Sequence, residues 1–233
     1  MRRAATTVAI ASSVVMAGYF QATAAEEDAF ASTEARESYA MGSLIGQQIG
    51  KDAPELDATS FLEGMGAALG QGEARLTEQE IAETLEAYEA RQMAAAKQRF
   101  EEEALQNAQV GSAFRTEFGQ KDDVITLASG VQYQVIQGGT GNKPGPDADV
   151  VVHYSGRLID GTEFDSSYSR NEPARFPVSR VIPGWTEILQ EMPVGAKWTV
   201  VVPPELAYGE RGAAPMIAPN ATLVFDIELL EIS

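Results

Sequence analysis

Two different rhythms of apolar residues divide the chain. From about residue 29 to 118 they recur at three- and four-residue intervals, which predicts helices; from about 124 onward they alternate, which predicts strands. The first helical pattern runs from Thr33 to Lys51 and carries Gly42, Gly46 and Gly50 at four-residue spacing. Each glycine costs about 1 kcal/mol in a helix interior, a cost usually offset by close approach of another backbone. A partner helix could come from the same chain or from a second copy. The second pattern, Ala58 to Leu69, places Phe61, Leu62, Met65 and Leu69 on one face and ends at Gly70. The third starts at Thr77, where Thr77 and Glu80 form a capping box and Leu76 and Ile81 hold the staple positions. It continues to about Gln109, and through Phe114 and Phe118 if Gly111 does not break it.

At 1.5 Å per residue this third helix is about 50 Å long by Gln109. Its apolar positions (Ile81, Leu85, Tyr88, Met93, Phe100, Leu105) are sparse, so it reads as a stalk, and the run Glu101–Glu103 as a solvated face. Two short helices and part of a third make too small a core for a monomeric domain. Dimerisation through residues 30–75 is therefore expected.

In the second half, Val131–Val135, Val150–Leu158, Arg175–Val178, Lys197–Pro203 and Ala221–Glu231 read as strands separated by Gly-, Pro- and Asp-Gly turns. Between them, Pro183 starts a short helix whose Trp185, Ile188, Leu189 and Met192 share one face, and Pro193 and Gly195 stop it. Taken alone, Val181-Ile182-Pro183-Gly184-Trp185 is a core tryptophan under a helix cap. His153, the only histidine, alternates with Tyr154 and faces the other side of its strand. A structural or surface role is expected for it.

Charge and composition narrow the function classes. The first 24 residues resemble a secretory leader: Arg2 and Arg3, an apolar stretch from Val8 to Phe20, and Ala22-Thr23-Ala24 as a cleavage site, with a cut after Ala25 as the alternative. The apolar stretch is short for a bilayer span, and no later segment reads as one. Removing the leader would take the formal charge from −17 to −19, a poor surface for nucleic acid or anionic lipid. With no cysteine, thiolate catalysis and cysteine metal sites are excluded. No cofactor and no metal site are expected.

The order VHYSG, DGTEFDSS, VIPGW, PPELAYG and APNATLVFDIELL, over about 110 residues from Val124 to Ser233, resembles an FKBP-type peptidyl-prolyl cis-trans isomerase domain. The helical half is similar, more loosely, to the amino-terminal region of the macrophage infectivity potentiator type, whose subunits interlock. The resemblance implies an α+β chain: a signal peptide at 1–24, a helical dimerisation domain at 25–76, a long connecting helix at 77–118, and at 119–233 an FKBP-like antiparallel sheet wrapped around one short helix.

It also implies a pocket for a proline ring. Trp185 would be its floor and Tyr154, Phe164, Val181, Ile182 and Phe225 its walls, with Asp165 at the rim and Met216 and Ile217 on the flap before the last strand. Tyr154, Asp165 and Tyr208 would be the groups closest to catalysis, with the Tyr208 hydroxyl and the Ile182 N–H binding substrate carbonyls. Ala174 and Ala213 stand where small family members carry larger residues, which would open one side of the pocket. The activity implied is isomerisation of X-Pro bonds in unfolded or exposed protein segments of the Gram-negative periplasm, or alternatively outer-membrane associated or secreted. Tacrolimus and rapamycin would be inhibitors. A holdase-type chaperone and a proline-binding module without turnover are the alternatives.

Overall fold

The structure, a computed structural model, describes residues 32–53 and 55–233. The expected leader and Pro54 lie outside them. The chain divides into two compact units at Ile81/Ala82.

The first unit is helical. Helix α1, Thr33–Asp52, starts at Ser32, whose hydroxyl accepts from the Ala35 N–H at 3.1 Å. Helix α2, Ala58–Ala68, starts at Asp57, which accepts from the Ser60 N–H at 2.7 Å. An oxygen at the N-cap occupies a backbone donor that the first turn cannot pair. Neither helix buries a single residue, and Tyr39, Met41, Leu44, Leu62 and Leu69 are all more than half exposed. Side chains added at Gly42, Gly46 or Gly50 would meet nothing within 4 Å. The close approach that those glycines predict is therefore absent within the described chain.

Helix α3, Glu78–Gly119, opens with the expected capping box. The Thr77 N–H donates to Glu80 Oε2 at 2.8 Å, and the Glu80 N–H donates to Thr77 Oγ1 at 3.2 Å. It runs unbroken for 42 residues, past Gly111. That glycine is buried, because a Cβ there would collide with the Thr222 side chain. It marks a packing contact and not a helix end.

The second unit is built on a seven-stranded, wholly antiparallel sheet. Its strands are β1 (Val124–Thr126), β2 (Gln132–Gln137), β3 (Asp149–Leu158), β4 (Glu163–Ser166), β5 (Ala174–Pro177), β6 (Lys197–Val202) and β7 (Leu223–Ile232). The order is β1-β2-β6-β7-β3-β4, and β5 pairs with the first half of β3. β1 has no counterpart in the sequence-based expectation, because three residues are too few to show a period.

Helix α4, Pro183–Glu191, covers one face of the sheet. Its Ile188 and Leu189, with Met192 at its end, are fully buried against Val150, Val152, Val200, Val202, Ile227 and Leu229. At about 2 kcal/mol for each large apolar side chain removed from water, this layer dominates the stability of the unit. On the reverse face the last turns of α3 pack Phe114 and Phe118 near Val201 and Val224. Strict alternation along β3 keeps Val150, Val152, Tyr154 and Gly156 on the α4 side. His153 faces the other side, stacked 4.7 Å from the Tyr168 ring with Nδ1 3.0 Å from Ser167 Oγ.

Candidate active site

At the entry to α4, extended chain becomes helix without a side-chain cap. Ile182 is the N-cap and Pro183 the first helical residue, so the backbone turns sharply and the Ile182 carbonyl accepts from the Trp185 and Thr186 N–H groups. The Ile182 N–H, by contrast, donates to nothing among the described residues. One turn into the helix, Trp185 is only 4% exposed.

Three other aromatic rings stand edge-to-face around that indole. Tyr154 from β3 lies 5.2 Å away at 88°, Phe225 from β7 5.3 Å away at 82°, and Phe176 from β5 5.8 Å away at 89°. Phe164 from β4 stands in turn 5.7 Å from Phe225 at 88°. Perpendicular pairs place the positive ring edge on a negative face and add about 1 kcal/mol each beyond burial. The rings can converge because Gly156 sits beneath them, paired with Asp165 on β4 and Phe225 on β7. A Cβ at Gly156 would lie 2.8 Å from both Phe164 and Phe225.

The result is a cavity of about 380 Å³ lined by Tyr154, Phe164, Asp165, Phe176, Arg180, Val181, Ile182, Trp185, Tyr208 and Phe225. Most of its walls are aromatic or aliphatic, and Tyr154 and Asp165 in the lining join Arg170 in one hydrogen-bonded group. There the Tyr154 hydroxyl donates to Asp165 Oδ2 at 2.5 Å, and Arg170 donates to Asp165 Oδ1 at 2.5 Å and to the Tyr154 oxygen at 3.0 Å. Burial pushes the Asp165 carboxyl up, but the hydrogen bonds from Tyr154 and Arg170 outweigh it and hold the group below its ordinary value. Burial, with the bond to Asp165 second, pushes the Tyr154 phenol up. The carboxylate is thus engaged on both oxygens, which suits it to fixing Tyr154 and Arg170 better than to carrying protons. Tyr208 is 42% exposed, and its hydroxyl has no partner among the described residues.

Eight of the ten residues singled out from the sequence meet in this cavity: Tyr154, Phe164, Asp165, Val181, Ile182, Trp185, Tyr208 and Phe225. Met216 and Ile217 do not. Ile217 pairs its backbone with Ala213 and is buried in the core at 6% exposure, while Met216 is about half exposed. Three participants escaped the sequence. Phe176 is two positions after Ala174, on the same side of β5, so the two-residue period could have found it. Arg180 lies in the short 3-10 turn Val178–Arg180 just before the Val181-Ile182 segment. Arg170 reaches Asp165 from within a turn over Tyr168–Asn171, closed by the Asn171 N–H donating to the Tyr168 carbonyl at 3.0 Å, and no spacing rule covers that turn. Ala174 packs against the core from the edge of this site but is absent from its lining.

Comparisons with known proteins agree along nearly the whole chain. Residues 140–230 match the family described as FKBP-type peptidyl-prolyl cis-trans isomerase, and residues 34–135 match the domain amino terminal to FKBP-type peptidyl-prolyl isomerase. FKBP-type peptidyl-prolyl cis-trans isomerase FkpA of Escherichia coli K12 is 41% identical over 219 residues, covering 91% of this chain and 80% of that protein. Peptidyl-prolyl cis-trans isomerase Mip of Coxiella burnetii is 41% identical over 195 residues, covering 84% of this chain and 85% of the relative. The crystal structure of FkpA from Escherichia coli superposes with a TM-score of 0.77 at 40% identity, covering 88% of this chain and 99% of that one.

Proposed function

The chain belongs to the FKBP-type peptidyl-prolyl cis-trans isomerase family, and from that premise we propose that the cavity on α4 is where it turns X-Pro bonds. The chain is a peptidyl-prolyl cis-trans isomerase that assists protein folding. The observation that carries the site assignment is the aromatic cavity over Trp185 with two unused donors beside it, the Ile182 N–H and the Tyr208 hydroxyl.

The chemistry asks for little more. Resonance sets a barrier of about 18–20 kcal/mol, and the twisted amide has lost that resonance together with much of its carbonyl dipole. A dry aromatic pocket therefore holds the twisted form better than the planar one, while the planar amide keeps water's advantage outside. Each 1.36 kcal/mol of that difference is worth about tenfold in rate. Trp185 supports the proline ring, Tyr154, Phe164, Phe176 and Phe225 exclude water, and the two free donors hold the flanking carbonyls. No proton needs to move, which fits a carboxylate tied to Tyr154 and Arg170.

Tyr39, Met41, Leu44 and Ile45 on α1 and Leu62 on α2 are all left exposed, and apolar side chains uncovered in this way support homodimerisation. The open faces of Gly42, Gly46 and Gly50 are where a second backbone fits. The same exposed side chains favour a second activity, holding unfolded clients. Among the described residues no helix is long and apolar enough to cross a membrane. A relative from Legionella longbeachae is named outer membrane protein MIP. The envelope, and within it the periplasm, is the compartment that suits this chain.

The test is catalysed exchange of an X-Pro tetrapeptide. The full chain accelerates it and tacrolimus or rapamycin suppresses it. Binding of the peptide without faster exchange would refute turnover and leave a recognition module. Failure of the 25–118 fragment to slow aggregation of a client protein would refute holding by the helices.

A further inference from the structure

The helix that the sequence presents as a stalk is wired to one wall of the pocket. Four contacts join the second half of α3 to the segment between Tyr208 and β7. The Asn107 side chain donates to the Pro219 carbonyl at 2.9 Å, and the Asn220 side chain donates back to the Ala104 carbonyl at 3.3 Å. The Arg115 guanidinium donates to Thr222 Oγ1, and Gly111 leaves room for the Thr222 side chain against the helix. Thr222 is only 2% exposed, and the two asparagine bonds beside it are part-buried.

Asn220 is the pivot of the arrangement. It sits at φ +54°, and its backbone N–H donates to the Gly209 carbonyl at 2.9 Å. Gly209 follows Tyr208 directly, and Tyr208 lines the cavity. One residue therefore grips the helix with its side chain and the Tyr208–Gly209 turn with its backbone. Tyr208 has no hydrogen bond of its own to fix its hydroxyl, and its surroundings are half open. Its placement depends on the turn that carries it.

We infer that Asn220 and Asn107 are positioning residues for the isomerase reaction, acting through Tyr208. The α3 helix then serves as a structural strut of the pocket from Ala104 onward as well as a spacer. The inference rests on the site assignment made above for Tyr208.

A double-mutant cycle on the full chain tests it, with kcat/KM for tetrapeptide exchange measured well below each variant's melting midpoint. Asn220→Gly is the informative substitution. Glycine tolerates the positive φ and retains the N–H to Gly209, so only the grip on the helix is lost. Asn107→Ala removes the reciprocal bond from the helix side. Each lowers kcat/KM about two- to fivefold, the worth of one part-buried hydrogen bond transmitted to the site. Tyr208→Phe lowers it as well, and Asn220→Gly combined with Tyr208→Phe falls no further than Tyr208→Phe alone. If both asparagine variants keep wild-type kcat/KM while losing only thermal stability, the seam is merely structural and the inference fails. Additive losses in the double variant also overturn it, because Asn220 would then act by another route. Wild-type activity in Tyr208→Phe sinks the site assignment for Tyr208, and the inference with it.

Discussion

Gly156→Ala adds one methyl group between Phe164 and Phe225, two walls of the pocket. The new carbon would lie 2.8 Å from Phe164 Cε2 and Cζ and from Phe225 Cε1, against an ordinary separation between carbons of about 3.5–4.0 Å. Relief on both sides at once requires the two rings to part by more than half an ångström each. Phe225 is held in place, 4% exposed and 5.3 Å from Trp185, and Phe164 packs edge-to-face on it at 5.7 Å, so most of the movement falls on Phe164. Overpacking of this kind costs about 1–3 kcal/mol, which for a unit of this size lowers the melting temperature by about 3–10 °C. The kinetic cost is larger in proportion, because the displaced rings are the walls that exclude water. A loss of 1.4 kcal/mol in transition-state stabilisation corresponds to a tenfold fall in kcat/KM.

The assay is tetrapeptide exchange at low temperature, beside thermal unfolding followed by tryptophan fluorescence. Gly145→Ala is the control, since a Cβ there meets nothing within 4 Å, and it should leave both readouts unchanged. Wild-type kcat/KM in Gly156→Ala would refute the account of the pocket as a set of rings held in place by contact.

Asp165→Asn removes the carboxylate that accepts from Tyr154 and Arg170. The folded carboxyl lies below its ordinary 3.8, so its stabilising effect is present above that value and is lost as pH falls through the folded pKa. Chemical unfolding should therefore show a deficit at pH 7, under about 1 kcal/mol because the group is nearly half exposed, that narrows in acid. A deficit that stays constant down to the acid end of the titration would refute the ionic account. Gly46→Leu has open space within the chain and improves helix propensity, so far-UV circular dichroism should hold while light scattering shows loss of the proposed dimer. An intact dimer would remove that face from the interface. Thr77→Ala breaks the capping box at a cost of about 1 kcal/mol and should speed amide exchange at the start of α3, with no change in activity.

Features that depend on neighbours along the chain were legible before any fold was known. Period and caps located α1, α2, the start of α3 and the face of α4, since an amphipathic helix and its capping oxygens are local properties. Five motifs in order carried the family and eight of the ten pocket residues. Tertiary structure decided what depends on chain reversals and on empty space. Arg170 meets Asp165 through a turn, and Phe176 enters the pocket because β5 pairs with β3. Gly111 looked like a weak point in a helix and is instead the contact that lets Thr222 and its loop lie against α3, a difference that no local pattern encodes. Met216 and Ile217 shared the flap on sequence grounds, yet the Ala213–Ile217 pairing turns Ile217 into the core and leaves Met216 exposed. Burial is a sum over the whole fold, so a residue's place in it is set only once the strands have found their partners.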